Sequence, residues 1–114
     1  MFSFIKNIFN RTIHKACENG NIKAVKRFLA DGTDVHVKND DGYTPLWIAA
    51  GWGHKEIAEL LISKGANVNS LNEDKGTPLD LISPKELEGV TAEIAILLRK
   101  HGGKTADELR AAGN

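Results

Sequence analysis

The residues of this chain that could ligate a metal ion or attack a substrate are four histidines and one cysteine: His14, His36, His54, His101 and Cys17. The histidines are not spaced as ligand pairs, and a single cysteine does not complete a tetrahedral site with them. No general base is indicated near Cys17, and a thiol without one is a poor nucleophile. We therefore predict no metal ion and no cofactor, and we interpret the histidines as structural and Cys17 as a buried, inert thiol.

One short run is similar to the end of a phosphate-binding loop. Residues 102–105 read Gly-Gly-Lys-Thr, but the earlier glycine and the preceding strand that such a loop requires are missing. The run is better explained as the end of one helix followed by the N-cap of the next. The chain also offers no pair of carboxylates whose arrangement suits general acid and base catalysis. These residues predict that the protein is not an enzyme.

Composition limits the class of protein further. The chain has 114 residues, of which 41% are hydrophobic and 26% charged, as expected for one soluble globular domain. Its 15 basic residues balance 15 acidic ones, which argues against a nucleic-acid partner because such binders carry a basic excess. No apolar run reaches the 18 residues that indicate a transmembrane helix. The single cysteine fits a reducing compartment, so we expect the cytoplasm.

The elements that must position these residues are repeated along the chain. A shift of 33 positions superimposes Ala16 on Ala49, Gly20 on Gly53, Gly32 on Gly65 and the Thr-Pro-Leu of residues 44–46 on that of residues 77–79. The Glu-Ile-Ala of residues 56–58 recurs at 93–95, which is 37 positions later. The chain is therefore built of three similar units, the third of which carries a four-residue insertion.

Each unit is predicted to form a short helix, a tight turn, a second helix and an extended loop. In the middle unit Thr44 is an N-cap and Pro45 occupies the first helical position, where its missing N–H does no harm. Ile57, Leu60 and Leu61 follow the i, i+3, i+4 spacing of a helix with one apolar face. Gly65 is expected to end that helix in a left-handed conformation.

Residues 41–50, 53–54 and 60–69 together resemble a nearly complete ankyrin repeat. The resemblance implies an all-α solenoid of stacked helix-turn-helix units with β-hairpin-like loops. Its repeats would span about 11–38, 39–71 and 72–104, within a domain of residues 11–114, and a closing helix would span about 105–112. The Lys-His-Gly-Gly-Lys-Thr of residues 100–105 is similar to the closing segment of bacterial ankyrin proteins, so we expect an array of bacterial type.

The departures from the family pattern lead to further expectations. Trp47 and Asp80 stand where the family uses a histidine to brace the neighbouring loop, so the bracing must differ there. In the third turn the glycine is displaced by one position, to Gly76, and we expect a distorted hairpin tip. A Ser-Pro-Lys-Glu capping box at residues 83–86 predicts an extra helical turn within the insertion.

In ankyrin arrays the hairpin tips and the inner faces of the first helices form a concave groove, through which we expect a partner protein to be bound. Tyr43 and Trp52 are the predicted anchors, since exposed aromatic residues are favoured for this role. The aspartates and glutamates of two tips form an acidic edge that would attract a basic partner, although turns also favour Asp for local reasons. The predicted partner-binding residues are Tyr43, Trp52, Asp40, Asp41, Leu71, Glu73, Asp74, Glu18, Asn19 and Lys38.

Residues 1–10 form an apolar extension with Phe2, Ile5 and Phe9 at helical spacing. It does not read as a secretory signal, because Lys6 interrupts it and no cleavage site follows. We favour a helical cap over the first repeat. The alternative is a membrane-peripheral or self-assembling structural protein that uses this segment. For the array itself we expect a monomer or weak self-association.

Overall fold

The computed structural model describes residues 12–82 and 89–113, and within them the chain is entirely helical, without strands. Seven helices follow one another in the described part, in the order α1 (Ile13–Glu18), α2 (Ile22–Ala30), α3 (Pro45–Gly51), α4 (Lys55–Ser63), α5 (Pro78–Leu81), α6 (Gly89–Lys100) and α7 (Ala106–Gly113). Pairs α1–α2, α3–α4 and α5–α6 form three units, and hairpin-like loops connect them. The predicted repeat architecture is confirmed.

Local sequence explains where the first helix of each unit begins. The Thr44 hydroxyl accepts a hydrogen bond from the Trp47 N–H (3.4 Å) at the start of α3, and Pro45 follows at the first position. At the start of α5, Thr77 and Asp80 form a reciprocal capping box. Capping satisfies backbone donors that a helix leaves without partners, so Thr44 and Thr77 fix the start of the first helix in the middle and third units.

The units stack through one continuous apolar core. Small residues at the ends of the first helices, such as Ala49 and Ala50, let neighbouring helices approach closely, and Cys17 has the same role in the first unit. In α4 the predicted stripe is oriented as expected, with Ile57 and Leu61 fully buried. The largest fully buried side chains come from all three units: Ile13, Val25, Leu46, Leu61, Ile94 and Leu98. The apolar side chains of each unit are therefore buried by the neighbouring units rather than within that unit alone.

One position in each first helix braces the next stretch of the array. His14 Nε2–H donates to the carbonyl oxygens of Val37 and Tyr43, each at 2.9 Å, which requires the proton to be on Nε2. Trp47 Nε1–H, 33 residues later, donates to the Ser70 carbonyl at 2.9 Å. The bracing therefore differs in chemistry, as predicted, but its direction along the array is conserved.

In the third unit the brace is reversed in polarity. Asp80 Oδ2 accepts from the N–H of Ala106 (2.9 Å), the first residue of α7, and from the N–H of Thr77 (2.8 Å). A carboxylate suits this position because the first N–H groups of a helix need acceptors. The predicted closing helix, at about 105–112, corresponds to α7. Two other predictions, for the apolar extension at residues 1–10 and the capping box at 83–86, lie outside the described residues.

Candidate functional site

The hairpin tip of the middle unit is held together by Asn39. Its side-chain oxygen accepts hydrogen bonds from the backbone N–H groups of Asp41 (2.9 Å) and Tyr43 (3.0 Å). The N–H of Gly42 donates to the Asn39 carbonyl (3.0 Å), and Gly42 has the positive φ of 82° that this turn requires. Such side-chain bonds to the following backbone are the reason why Asn begins tight turns.

The tip of the third unit repeats this pattern with other residues. The Asn72 side-chain oxygen accepts from Asp74 (3.0 Å) and Gly76 (2.8 Å), and the N–H of Lys75 donates to the Asn72 carbonyl (3.0 Å). The prediction of a distorted tip is therefore wrong. Because Asn72 keeps the turn in place, the displaced glycine leaves Lys75 to adopt the left-handed conformation, with φ 66°.

The two tips lie against each other and bring their carboxylates onto one surface. A Cβ atom added to Gly42 would lie 2.8 Å from Cγ of Glu73 and 3.3 Å from its backbone nitrogen. Four acidic side chains of these tips are exposed: Asp40, Asp41, Glu73 and Asp74. We call this group the acidic edge. The structure thus brings together the four carboxylates that the sequence grouped as an acidic edge.

Lys38 and Leu71 belong to the same two loops and are linked to each other. Lys38 Nζ donates a hydrogen bond to the Leu71 carbonyl oxygen at 3.0 Å, and both residues are exposed. This bond ties the loop before the middle tip to the loop before the third tip. Lys38 keeps its positive charge in this bond, but Lys38 and Lys75 together offset only two of the four carboxylates, so the two tips keep a net negative charge.

An apolar patch lies at the opposite end of the first helices, where α3 turns into α4. Trp52 is the C-cap of α3 and has 60% of its surface exposed. Leu81 and Val90, exposed to 47% and 46%, lie over Gly51 and Gly53 on either side of it: a Cβ on Gly51 would be 2.8 Å from Leu81 Cδ2, and one on Gly53 would be 3.0 Å from Val90 Cγ1. We call Trp52, Leu81 and Val90 the apolar patch.

Leu81 and Val90 were not predicted as site residues. The repeat offset changes from 33 to 37 residues between Leu81 and Val90. Neither offset therefore indicates which residues of the middle unit these two side chains contact. The available signal was the pair of glycines around Trp52, which leave room for side chains of the next unit.

Tyr43 is less accessible than Trp52. Its ring stacks on that of Trp47, with centroids 5.2 Å apart and planes inclined by 28°, and the residue is half-buried. Its backbone oxygen is one of the two acceptors of His14. One face of the Tyr43 ring is therefore used for packing inside the array, and only the remaining edge could meet a partner.

The first unit contributes Glu18 and Asn19, at the end of α1. The Glu18 carbonyl oxygen accepts a hydrogen bond from His54 Nε2–H (3.0 Å). The side chain of Glu18 is half-buried, and its Oε1 lies 3.5 Å from Lys15 Nζ. Asn19 is exposed and caps α1 through its backbone N–H. Glu18 is therefore partly committed to the contact between the first and middle units, whereas Asn19 projects from the surface.

Three titratable groups have pKa values that are shifted by burial or by hydrogen bonds within the array. Desolvation by burial lowers the pKa of His14, although its bonds to two carbonyls act in the opposite direction, and the imidazole stays neutral near pH 7. Burial raises the pKa of the Cys17 thiol to about 12, so almost no thiolate exists at neutral pH. Hydrogen bonds from the Thr105 N–H and from Arg99 lower the pKa of Glu108 to about 2. Residues 12–82 and 89–113 contain no group of three or more potential metal ligands.

The middle tip of the acidic edge and Trp52 of the apolar patch lie at the two ends of α3. Residues Pro45–Gly51 of α3 connect the middle tip to Trp52, and seven helical residues span about 10 Å. A bound segment of a few residues would therefore reach from one part to the other.

None of the helices in the described part of the chain has the length and apolar character needed to cross a bilayer.

Comparison with protein families and with characterised proteins identifies the repeats. The family model described as ankyrin repeats (3 copies) matches residues 13–106. The chain is 43% identical to protein phosphatase 1 regulatory subunit 27 of Homo sapiens over 77 residues, which cover 66% of this chain and 50% of that protein. It is 36% identical to protein phosphatase 1 regulatory subunit 12A of Mus musculus over 82 residues, 72% of this chain and 8% of that protein.

Myotrophin of Xenopus tropicalis is 46% identical over 52 residues, which cover 46% of this chain and 44% of that protein. The chain thus spans half, or less, of the length of each of these three relatives. All three are eukaryotic, and the expectation of an array of bacterial type finds no support in them.

Proposed function

Because the chain belongs to the ankyrin-repeat family, we propose that it binds a partner protein across the surface that joins its acidic edge to its apolar patch. Ankyrin arrays are protein-interaction modules, and the chain is such a module. The observation that carries the proposed site is that Asp40 and Asp41 precede α3 and the exposed Trp52 ends it, while the tip with Glu73 and Asp74 packs against the tip before α3.

Trp52 is the proposed central anchor. A large aromatic side chain in an apolar surrounding contributes strongly to binding once a partner excludes water from it, and Leu81 and Val90 supply that surrounding. Tyr43 would contribute through its accessible edge. The surface is completed by the other predicted residues: Asp40, Asp41, Glu73, Asp74, Leu71, Lys38, Glu18 and Asn19.

The proposed partner carries basic residues beside an apolar anchor. Four carboxylates on neighbouring tips produce a negative potential that accelerates encounter with a cationic surface and disfavours an acidic one. The apolar patch would then bind an aliphatic or aromatic side chain of the same segment. We propose that this role is non-catalytic and is performed in the cytoplasm, which accords with the single cysteine and its buried thiol.

Affinity capture from the native cell, followed by mass spectrometry, tests the proposed surface. We expect Trp52→Ala to abolish capture of the specific partner. The double substitution Asp41→Lys and Asp74→Lys should weaken capture at least tenfold, and this loss should be greatest at low salt. Because these residues are exposed, thermal unfolding should be nearly unchanged for both variants.

The matched control is Asp31→Lys with Glu59→Lys, which makes the same charge change at two exposed positions, the C-cap of α2 and the middle of α4. This control should capture the partner as the unmodified chain does. Equal losses in the two charge-reversed variants would mean that only overall charge matters and would refute the acidic edge as a site. A partner retained by Trp52→Ala would refute the apolar anchor.

Protein phosphatase 1 is the first partner to test, because two of the relatives are named as its regulatory subunits. Isothermal titration of the purified phosphatase with this chain should give saturable binding that Trp52→Ala weakens. No heat of binding in titrations at two temperatures would remove this phosphatase as the partner, because an enthalpy that is zero at one temperature is not zero at another. The capture experiment would still decide whether the surface binds another protein.

The alternative function, as a membrane-peripheral or self-assembling protein, rests on residues 1–10, which lie outside the described part of the chain. It predicts that deleting these residues abolishes flotation with liposomes. The proposed function predicts instead that partner capture survives the deletion.

A further inference from the structure

A cleft lies between α2 and α4, the second helices of the first and middle units. The first helices pack on one another in one layer, and the second helices α2, α4 and α6 pack in another. The cleft belongs to this second layer and has a volume of about 300 Å³. Its lining shares no residue with the proposed partner surface and consists of Lys26, Leu29, Ala30, Leu60 and Lys64. We call this feature the back cleft.

The two walls of the back cleft carry their cations at opposite ends. Lys26 precedes Leu29 and Ala30 by three and four residues, so these side chains share one face of α2. Leu60 precedes Lys64 by four residues, which places both on one face of α4. The bounds of α4 follow those of α2 by 33 residues at both ends, so Lys64 lies five residues further along the repeat than Lys26, or about 7.5 Å. One ammonium group therefore stands at each end of an apolar floor.

Lys26 and Lys64 are exposed, and the array does not neutralise them. Within residues 12–82 and 89–113 no carboxylate forms an ion pair with either lysine, and this includes Asp31, the C-cap of α2. The helix α2 itself contains two further cations, Lys23 and Arg27, and no acidic residue. The back cleft therefore has a local positive potential on a chain whose formal net charge is zero.

The floor of the back cleft is apolar and open. Leu29 and Leu60 pack against the core but are only half-buried. Ala30 is exposed, and its methyl group leaves a low point where the other units carry the larger Ser63 and Lys100. The volume of the back cleft is at the lower limit of ligand pockets. It suits one or two side chains rather than a whole helix.

We propose that the back cleft binds an acidic segment of a partner protein in which an apolar side chain lies between two carboxylates. The apolar side chain occupies the space above Ala30, and the carboxylates pair with Lys26 and Lys64. With 8–10 Å between the axes of packed helices, the two lysine Cα atoms are about 12 Å apart. Residues four positions apart in an extended segment span about 13 Å, which matches this separation. The proposal does not depend on the acidic edge, which would bind a basic segment.

The neighbouring charges favour a short acidic segment over a broad anionic surface. Glu56 and Glu59 are exposed on α4, four residues and one residue before Leu60. A bilayer or a nucleic-acid backbone that met both lysines would also approach these two carboxylates, and the repulsion would oppose binding. The half-buried leucines would gain no contact with such a surface. A segment with only two carboxylates avoids the repulsion and fills the floor.

Fluorescence anisotropy with a labelled peptide that contains Glu-Ala-Leu-Ala-Glu tests the proposal. Titration with the full chain up to about 1 mM should show saturable binding. Lys26→Glu with Lys64→Glu should weaken this binding about tenfold or more, because attraction becomes repulsion. Ala30→Leu should also weaken binding, without any change in charge, because its side chain fills the space that the leucine of the peptide would occupy. Since larger residues stand at the equivalent positions of the other units, thermal unfolding of Ala30→Leu should be unchanged.

The matched control is Lys23→Glu with Lys104→Glu, which makes the same charge change at exposed positions outside the back cleft and should retain the affinity for the peptide. Equal losses in the two charge-reversed variants would overturn the proposal, because only overall charge would then matter. Absence of peptide binding, or unchanged binding by Ala30→Leu, would overturn it as well. Flotation with phosphatidylserine vesicles that requires Lys26 and Lys64, without peptide binding, would assign the cleft to a membrane surface instead.

Discussion

In the middle unit Gly42 closes the hairpin turn and Trp47 reaches the next loop, whereas in the third unit Lys75 and Asp80 stand at these places. The backbone of the two turns is nevertheless hydrogen-bonded in the same way. The comparison teaches that an Asn side chain at the start of the turn maintains its geometry even when the glycine is displaced. The brace connects the first helix to the stretch of the array that follows in both units, although the residue that makes it differs.

The two units differ most in what covers them. The middle unit is packed between two units, whereas among the described residues the third unit is followed by α7, which is attached by polar contacts. A substitution in the middle unit should therefore have a larger effect than one at the equivalent position of the third unit. Three pairs of substitutions test this, from the largest expected effect to the smallest.

Leu46→Ala and Leu79→Ala form the pair with the largest effect. Leu46 is completely buried, so its truncation should lower the free energy of unfolding by about 4 kcal/mol, through lost burial and the cavity left behind. Leu79 lines an open groove, where the surroundings can relax, and we expect about 2 kcal/mol. Urea unfolding measures both. Equal losses would show that the third unit is as tightly sealed as the middle one.

Trp47→Phe and Asp80→Ala compare the two braces. Trp47→Phe keeps the aromatic ring but removes the donor to Ser70, so about 1–2 kcal/mol of global stability should be lost. Asp80→Ala removes the acceptor of the Ala106 N–H, and its effect should be local. Hydrogen exchange should show faster exchange at Ala106 with little change in α4. A uniform increase throughout the array in Asp80→Ala would contradict a local role.

The helices and braces of this protein follow from local rules that can be recognised in the sequence. Thr44 and Thr77 are N-caps because a hydroxyl can accept from the first turn, and the spacing of Ile57 and Leu61 requires one buried face. The need for a different brace at Trp47 was also predictable from its place in the repeat. What the indole would bond to was not, because its acceptor at Ser70 belongs to another unit.

The third turn and the exposed Ile96 show where local rules fail. A displaced glycine predicted distortion, because a turn residue with positive φ is normally Gly. The prediction neglected Asn72, whose two hydrogen bonds keep the turn in place and leave Lys75 in the strained conformation. The exposure of Ile96 could not be predicted either, since its helical spacing is the same whether or not another unit covers it.

Gly42→Ala and Lys75→Gly form the last and smallest pair, and the two substitutions should have opposite signs. Gly42→Ala forces a side chain into a left-handed conformation and places its Cβ 2.8 Å from Glu73, so we expect a loss of about 1–2 kcal/mol. Lys75→Gly relieves the same strain, but glycine also gains freedom in the unfolded chain, so the net gain should be only about 0.5 kcal/mol. Thermal unfolding of both variants, beside the unmodified chain, gives the signs directly. If Lys75→Gly were destabilising, the turn would not be strained at Lys75, and the two tips would differ in more than the position of their glycine.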